Sequence, residues 1–117
     1  MVVLGLDVST TTIGYAFIKG KKILDMGFID ISKHDTFKDK AYHAMGTLDD
    51  NPNMEKTEKI IVEDSLSGFM GGKTRMQTII KLAKFNAVFC FVMEWKYDVD
   101  VELINPNTAR KAVFGKA

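Results

Sequence analysis

Apolar residues run almost unbroken through Val2-Val3-Leu4-Gly5-Leu6, and the run closes on Asp7. A short continuous run of this kind predicts a strand, Val2–Asp7, buried on both faces. Ser9-Thr10-Thr11-Thr12 turns the chain, and Thr12–Lys19 predicts a neighbouring strand. Gly20-Lys21-Lys22 turns it again into a third strand over Ile23–Ile31, close enough to pair with the second as a hairpin. Beyond it, Phe37, Ala41, Ala44, Met45 and Leu48 recur at helical spacing and predict a helix over Asp35–Leu48. Asp49-Asp50-Asn51-Pro52-Asn53 breaks that helix. Lys59–Val62 is a short apolar strand ending at Glu63-Asp64, and Ser65–Gly72, with three glycines, is a loop.

The longest helical pattern spans Lys73–Glu94. Met76, Ile79, Ile80, Ala83, Ala87 and Cys90 recur on one face, and from Ala87 to Met93 the pattern is apolar nearly all round. A helix of that kind is covered on more than one side, by the sheet and by a partner subunit. Val99–Ile104 is a fifth strand. Asn105 is placed to cap a last helix, with Pro106 at its first position, running from Thr108 toward Phe114 and stopping at Gly115. The order βββαβαβα describes one α/β domain with a mixed five-stranded sheet flanked by helices. A length of 117 residues, 46% of them hydrophobic, suits a single domain with a real core.

Charge changes this picture only locally. Residues 1–64 hold 8 basic and 11 acidic side chains, and residues 65–117 hold 8 basic and 4 acidic. The basic second half suits a phosphate-rich partner. Cys90 is the single cysteine, so no intrachain disulfide forms, as expected of a chain in a reducing cytoplasm. The apolar start lacks a basic leader region, and the run Ala87–Met93 is too short to span a bilayer.

Two acids sit at matching places: Asp7 near the end of the first strand, and Glu63 at the end of the fourth. An unpaired charge in an apolar strand is costly, and a metal ion would give Asp7 a reason to be there. If these strands are parallel neighbours, both carboxylates converge on one sheet edge. Mg²⁺ typically takes one or two carboxylates, with water and substrate phosphate completing its shell. The plainer alternative is that Asp7 caps the Ser9–Thr12 turn and Glu63 is a surface acid. Asp64 is the rival ligand, but strand alternation sends it to the opposite face.

The opening strand–turn–strand resembles two superfamilies that share one fold, the RNase H-like nucleases and the sugar kinase/actin-type ATPases. Leu4-Gly5-Leu6-Asp7-Val8-Ser9 with Gly14-Tyr15, then Ile61-Val62-Glu63, then Phe69-Met70 ahead of a lysine-bearing helix, resemble RuvC-type Holliday junction resolvases. Ala109-Arg110-Lys111-Ala112-Val113-Phe114-Gly115 resembles that family's segment before its final helix. The resemblance implies an RNase H-like domain spanning residues 1–117. It implies a homodimeric endonuclease that depends on Mg²⁺, with Mn²⁺ as a substitute, and cleaves four-way DNA junctions. Asp7 and Glu63 match its first two catalytic, metal-binding acids. The family's last two acids follow the Lys-Ala-Val segment on a further helix. No Asp or Glu follows Glu102 here, so the expectation is a domain lacking that helix, with cleavage lost or weakened.

Between Lys73 and Lys84 lie four cations and no acid, with Lys73, Gln77, Lys81 and Lys84 on one stripe and Arg75 beside it. Such a stripe can follow a phosphate backbone, or can simply be a solvated helix face. With the resemblance, Phe69, Lys73, Arg75, Lys81, Lys84 and Lys111 become candidate DNA contacts, Phe69 as a wedge at an open junction. His34 and His43 match no zinc spacing with Cys90 or each other. Trp95 and Tyr97 are expected to pack. Glycines 68, 71 and 72 before Lys73-Thr74 lack the spacing of a phosphate-binding P-loop. Two other functions stand beside the nuclease. In an ATPase domain, Asp7-Val8-Ser9-Thr10-Thr11 would hold ATP phosphates. A non-catalytic module would bind branched DNA without cutting it.

Overall fold

In a computed structural model, residues 1–63 and 76–104 are described. The first strand, β1, is Val2–Val8, followed by β2 at Thr12–Lys19 and β3 at Lys22–Asp30. Helix α1 is Phe37–Asp49, a 3₁₀ turn covers Met54–Lys56, and β4 is Thr57–Glu63. Helix α2 is Met76–Tyr97 and β5 is Val101–Ile104. The expected loop at 65–72, Asp64, and the last helix with Asn105, Pro106, Phe114 and Gly115 lie outside the described residues.

The strands form one sheet in the order β3-β2-β1-β4-β5. β1 pairs antiparallel with β2, and β2 with β3. β4 pairs parallel with β1 and with β5. The hairpin turn places Gly20 at φ +63, a backbone state that costs glycine little.

Strand alternation decides which side chains build the core. Leu4, Leu6 and Val8 of β1, Ile13 and Phe17 of β2, and Ile60 and Val62 of β4 join one buried cluster. Ala41, Ala44, Met45 and Leu48 of α1 and Phe85, Phe89 and Met93 of α2 complete it. Both described helices therefore cover the same sheet face. Phe85 and Phe89 meet edge-to-face at 5.9 Å, and Phe37 stacks on Phe85 at 5.3 Å. Aromatic pairs of this kind add modestly to the burial of their surface.

Two sequence expectations change here. β1 is buried on one face only; Val3 and Gly5 are half-buried and Asp7 is exposed. In α2 the inward face is Leu82, Phe85, Asn86, Phe89 and Met93, not the stripe through Met76, Ile80 and Ala87. Because α2 is apolar nearly all round, spacing alone could not select its face, and the two phenylalanines that fill the gap to the sheet decide it. Over its full length α2 is long and apolar enough to cross a membrane. Its inward residues Phe85, Phe89 and Met93 nonetheless belong to the core shared with the sheet.

α1 starts at Thr36, whose Oγ1 accepts the Asp39 amide at 3.1 Å. Lys40, buried on this helix, donates from Nζ to the Thr10 carbonyl and, at 3.3 Å, to that of Ile31. A buried ammonium needs such partners, and here it fastens α1 to the turn that follows β1.

Candidate metal centre and nucleic-acid interface

In the parallel pair of β1 and β4, Leu6 stands opposite Val62, and both point into the core. The next residues, Asp7 and Glu63, leave the two strands side by side on the other face. Neighbouring strands lie about 4.8 Å apart, a separation that lets two carboxylates reach one cation. Asp7 also pairs with Gly14 of β2, Gly14 with Phe28 of β3, and Glu63 with Ile104 of β5. One row of the open face therefore runs Phe28, Gly14, Asp7, Glu63, Ile104. It crosses the carboxyl ends of the parallel strands β1 and β4.

Asp7 does not cap the turn after its strand. Ser9 does: its Oγ donates to the Thr12 carbonyl at 2.8 Å and accepts the Thr12 amide at 3.0 Å. Among the described residues the Asp7 carboxylate makes no hydrogen bond or ion pair. Nor is it buried, so the expected desolvation cost is absent. Bare Gly14 on the neighbouring strand leaves it open to water. What distinguishes Asp7 is its placement beside Glu63.

Other candidates are not gathered here. Lys81 and Lys84, with Gln77, are exposed on the outer side of α2. That helix covers the core face, so these cations and the two acids lie on opposite layers. Phe69, Lys73, Arg75 and Lys111 lie outside the described residues. Among the described residues no group of three or more potential ligands gathers around one point.

Spacing missed one pair. Nε2 of His34 and Nδ1 of His43 are 2.8 Å apart, with the rings perpendicular. The loop after β3 folds back along α1 to bring them together, a contact no local pattern encodes. Nearby, the Ser32 hydroxyl and amide both donate to Asp30 and hold its carboxyl below the usual range. The two expected packers at the end of α2 diverge. Tyr97 is partly buried and donates to Asp49 Oδ1 at 2.6 Å. Trp95 is 76% exposed.

Five strands ordered 3-2-1-4-5, the last two parallel to the first, define an RNase H-like α/β domain. RuvC of Thermus thermophilus in complex with a Holliday junction substrate has a similar structure, at a TM-score of 0.70 and 16% identity, covering 95% of this chain and 68% of that one. A second structure of Thermus thermophilus RuvC gives 0.67 and 18% identity, over 99% of this chain and 70% of that one. An ROK hexokinase from Thermus thermophilus shares the fold more loosely, at 0.52 and 17% identity, covering 97% of this chain and 39% of that one. No family model and no curated protein matches the sequence.

Proposed function

We propose that this chain is a structure-selective DNA-binding domain of the junction-resolvase kind, an endonuclease module acting on four-way or otherwise branched DNA. The observation that carries this reading is the shared face and register of Asp7 and Glu63 at the carboxyl ends of two parallel strands. Two carboxylates side by side on one sheet face are a donor set that suits a hard divalent cation, Mg²⁺ or Mn²⁺. Bound there, such an ion would supply an activated water and offset charge on the leaving oxygen of a phosphodiester. Asp7 and Glu63 would hold it and fix where the phosphate sits.

Lys81 and Lys84 would neutralise backbone phosphates. Because they occupy the helix layer, the arm they contact is not the arm presented to the acids. This arrangement suits a branched substrate better than a single straight duplex. Phe69, Lys73, Arg75 and Lys111 complete the proposed DNA contacts on sequence grounds. A second copy of the chain would cover only the carboxyl-terminal half of the outer side of α2, beyond Lys81 and Lys84, where Val88, Phe91 and Trp95 are exposed on one stripe. Apolar patches of that kind mark interaction sites more often than free surface.

The test compares binding of a four-way junction with that of a linear duplex of equal length, at low and moderate salt. The expected result is tighter binding of the junction, weakening as salt rises, with Asp7→Asn binding DNA normally. Any Mg²⁺-dependent cleavage is lost in that variant. Equal affinity for both DNAs removes the structure selectivity, and no binding at low salt removes the DNA reading. Thermal stabilisation by ATP would favour the ATPase branch instead.

A further inference from the structure

Phe28 has no role in the core. It lies on β3 with 80% of its surface exposed, on the same face and in the same row as Asp7. Gly14 alone separates them. A Cβ built at Gly14 would sit 3.5 Å from the Phe28 ring and 3.7 Å from the Asp7 Cβ. The ring edge and the carboxylate thus flank a gap floored by bare backbone, with no side chain between them. Part of the ring shields Gly14, as aromatics do beside glycine in sheets, but most of it faces solvent. Met26, one row along on the same face, is also exposed.

We infer that Phe28 is a base-stacking platform: its ring takes a nucleobase of the DNA strand whose phosphate lies at Asp7 and Glu63. This inference rests on the DNA reading proposed above and adds a substrate contact to that site. A nucleotide carries its base within reach of its own phosphate, and every base offers a flat π face. Stacking on an aromatic ring is therefore tolerant of sequence. It suits a junction, where bases near the crossover are less constrained than in a duplex. Gly14 keeps the approach clear, and β3, held along its length by β2, keeps the ring in place.

The test uses four-way junctions that each carry one 2-aminopurine near the crossover, whose fluorescence falls when the base stacks. The wild-type chain is expected to quench the probe at one position. Phe28→Ala should abolish that quench and weaken binding by roughly five- to a hundredfold, and Phe28→Trp should restore both. Because the ring is solvent-exposed, the alanine variant keeps its core, which a melting curve verifies. If Phe28→Ala binds and quenches like wild type, the platform is wrong while the DNA reading stands. If it changes only melting temperature or self-association, the ring covers a protein surface and the inference is also overturned. If the wild-type chain binds no junction, the DNA reading falls first and the platform with it.

Discussion

Four neighbours determine what Asp7 can do. Leu6 and Val8 are buried on either side of it, which fixes the strand and sends the carboxylate to the opposite face. Gly14 leaves it open to water, and Glu63 stands beside it on β4. The two acids were legible in the sequence because each closes an apolar strand. Their environment was not, since an unbroken apolar run does not say which face meets helices and which meets water. His34 and His43 were illegible for a related reason: nine positions apart, they meet only because a loop folds back onto α1. Cys90 behaves as its apolar surroundings suggest. Burial, reinforced by the nearby Glu94 carboxylate, pushes its thiol up to about 11. Only the thiolate attacks an alkylating agent. Iodoacetamide at pH 8 should therefore modify Cys90 far more slowly in the folded chain than in urea, as followed by mass spectrometry. Equal rates would contradict the burial.

Among the elements, the opening meander was the most legible. The expected strand at Thr12–Lys19 coincides with β2, and the turn at Gly20 lies where glycine allows its backbone geometry. β4 runs longer than its apolar run because Thr57, buried, begins the pairing with Val2. α2 shows where pattern reading stops: an all-round apolar helix has no face until a sheet selects one. Phe89 is fully buried against that sheet, so Phe89→Ala should cost about 3–5 kcal/mol in a denaturant titration. A cost under 1 kcal/mol would mean that α2 docks by a different face.

The far end of α2 is latched to α1. Tyr97 donates to Asp49, and Lys96 pairs with the same carboxylate at 3.2 Å. Burial first, then Asp49, raises the Tyr97 phenol well above its ordinary value of 10.0. A raised value means that the folded chain holds the proton more tightly than the unfolded one. This contribution is full below pH 10 and fades as the unfolded phenol ionises above it. Tyr97→Phe should cost about 1 kcal/mol at pH 8 and flatten the loss of stability between pH 9 and 11. A wild-type curve as flat as the variant's would contradict the latch.

For the molecule as a whole, sheet order is what turns two separate acids into a candidate site. In the sequence, the neighbourhood of β1 and β4 was only a condition for the two acids to meet, and the sheet meets it, with β4 beside β1 and parallel to it. The relation of cations to acids was not implied. A charge stripe read along a helix carries no information about which sheet layer that helix covers, and here it covers the layer opposite Asp7 and Glu63. On the function proposed above, recognition of a branched substrate would draw on both layers at once.

The central claim, that Asp7 and Glu63 together hold a divalent cation, is tested most directly by titrating Mn²⁺ into the chain and reading free Mn²⁺ by electron paramagnetic resonance. The wild-type chain should bind the ion, and Asp7→Asn and Glu63→Gln should each weaken binding at least tenfold while leaving the circular dichroism spectrum unchanged. Wild-type-like binding in both variants, or no binding by the wild-type chain, would contradict it.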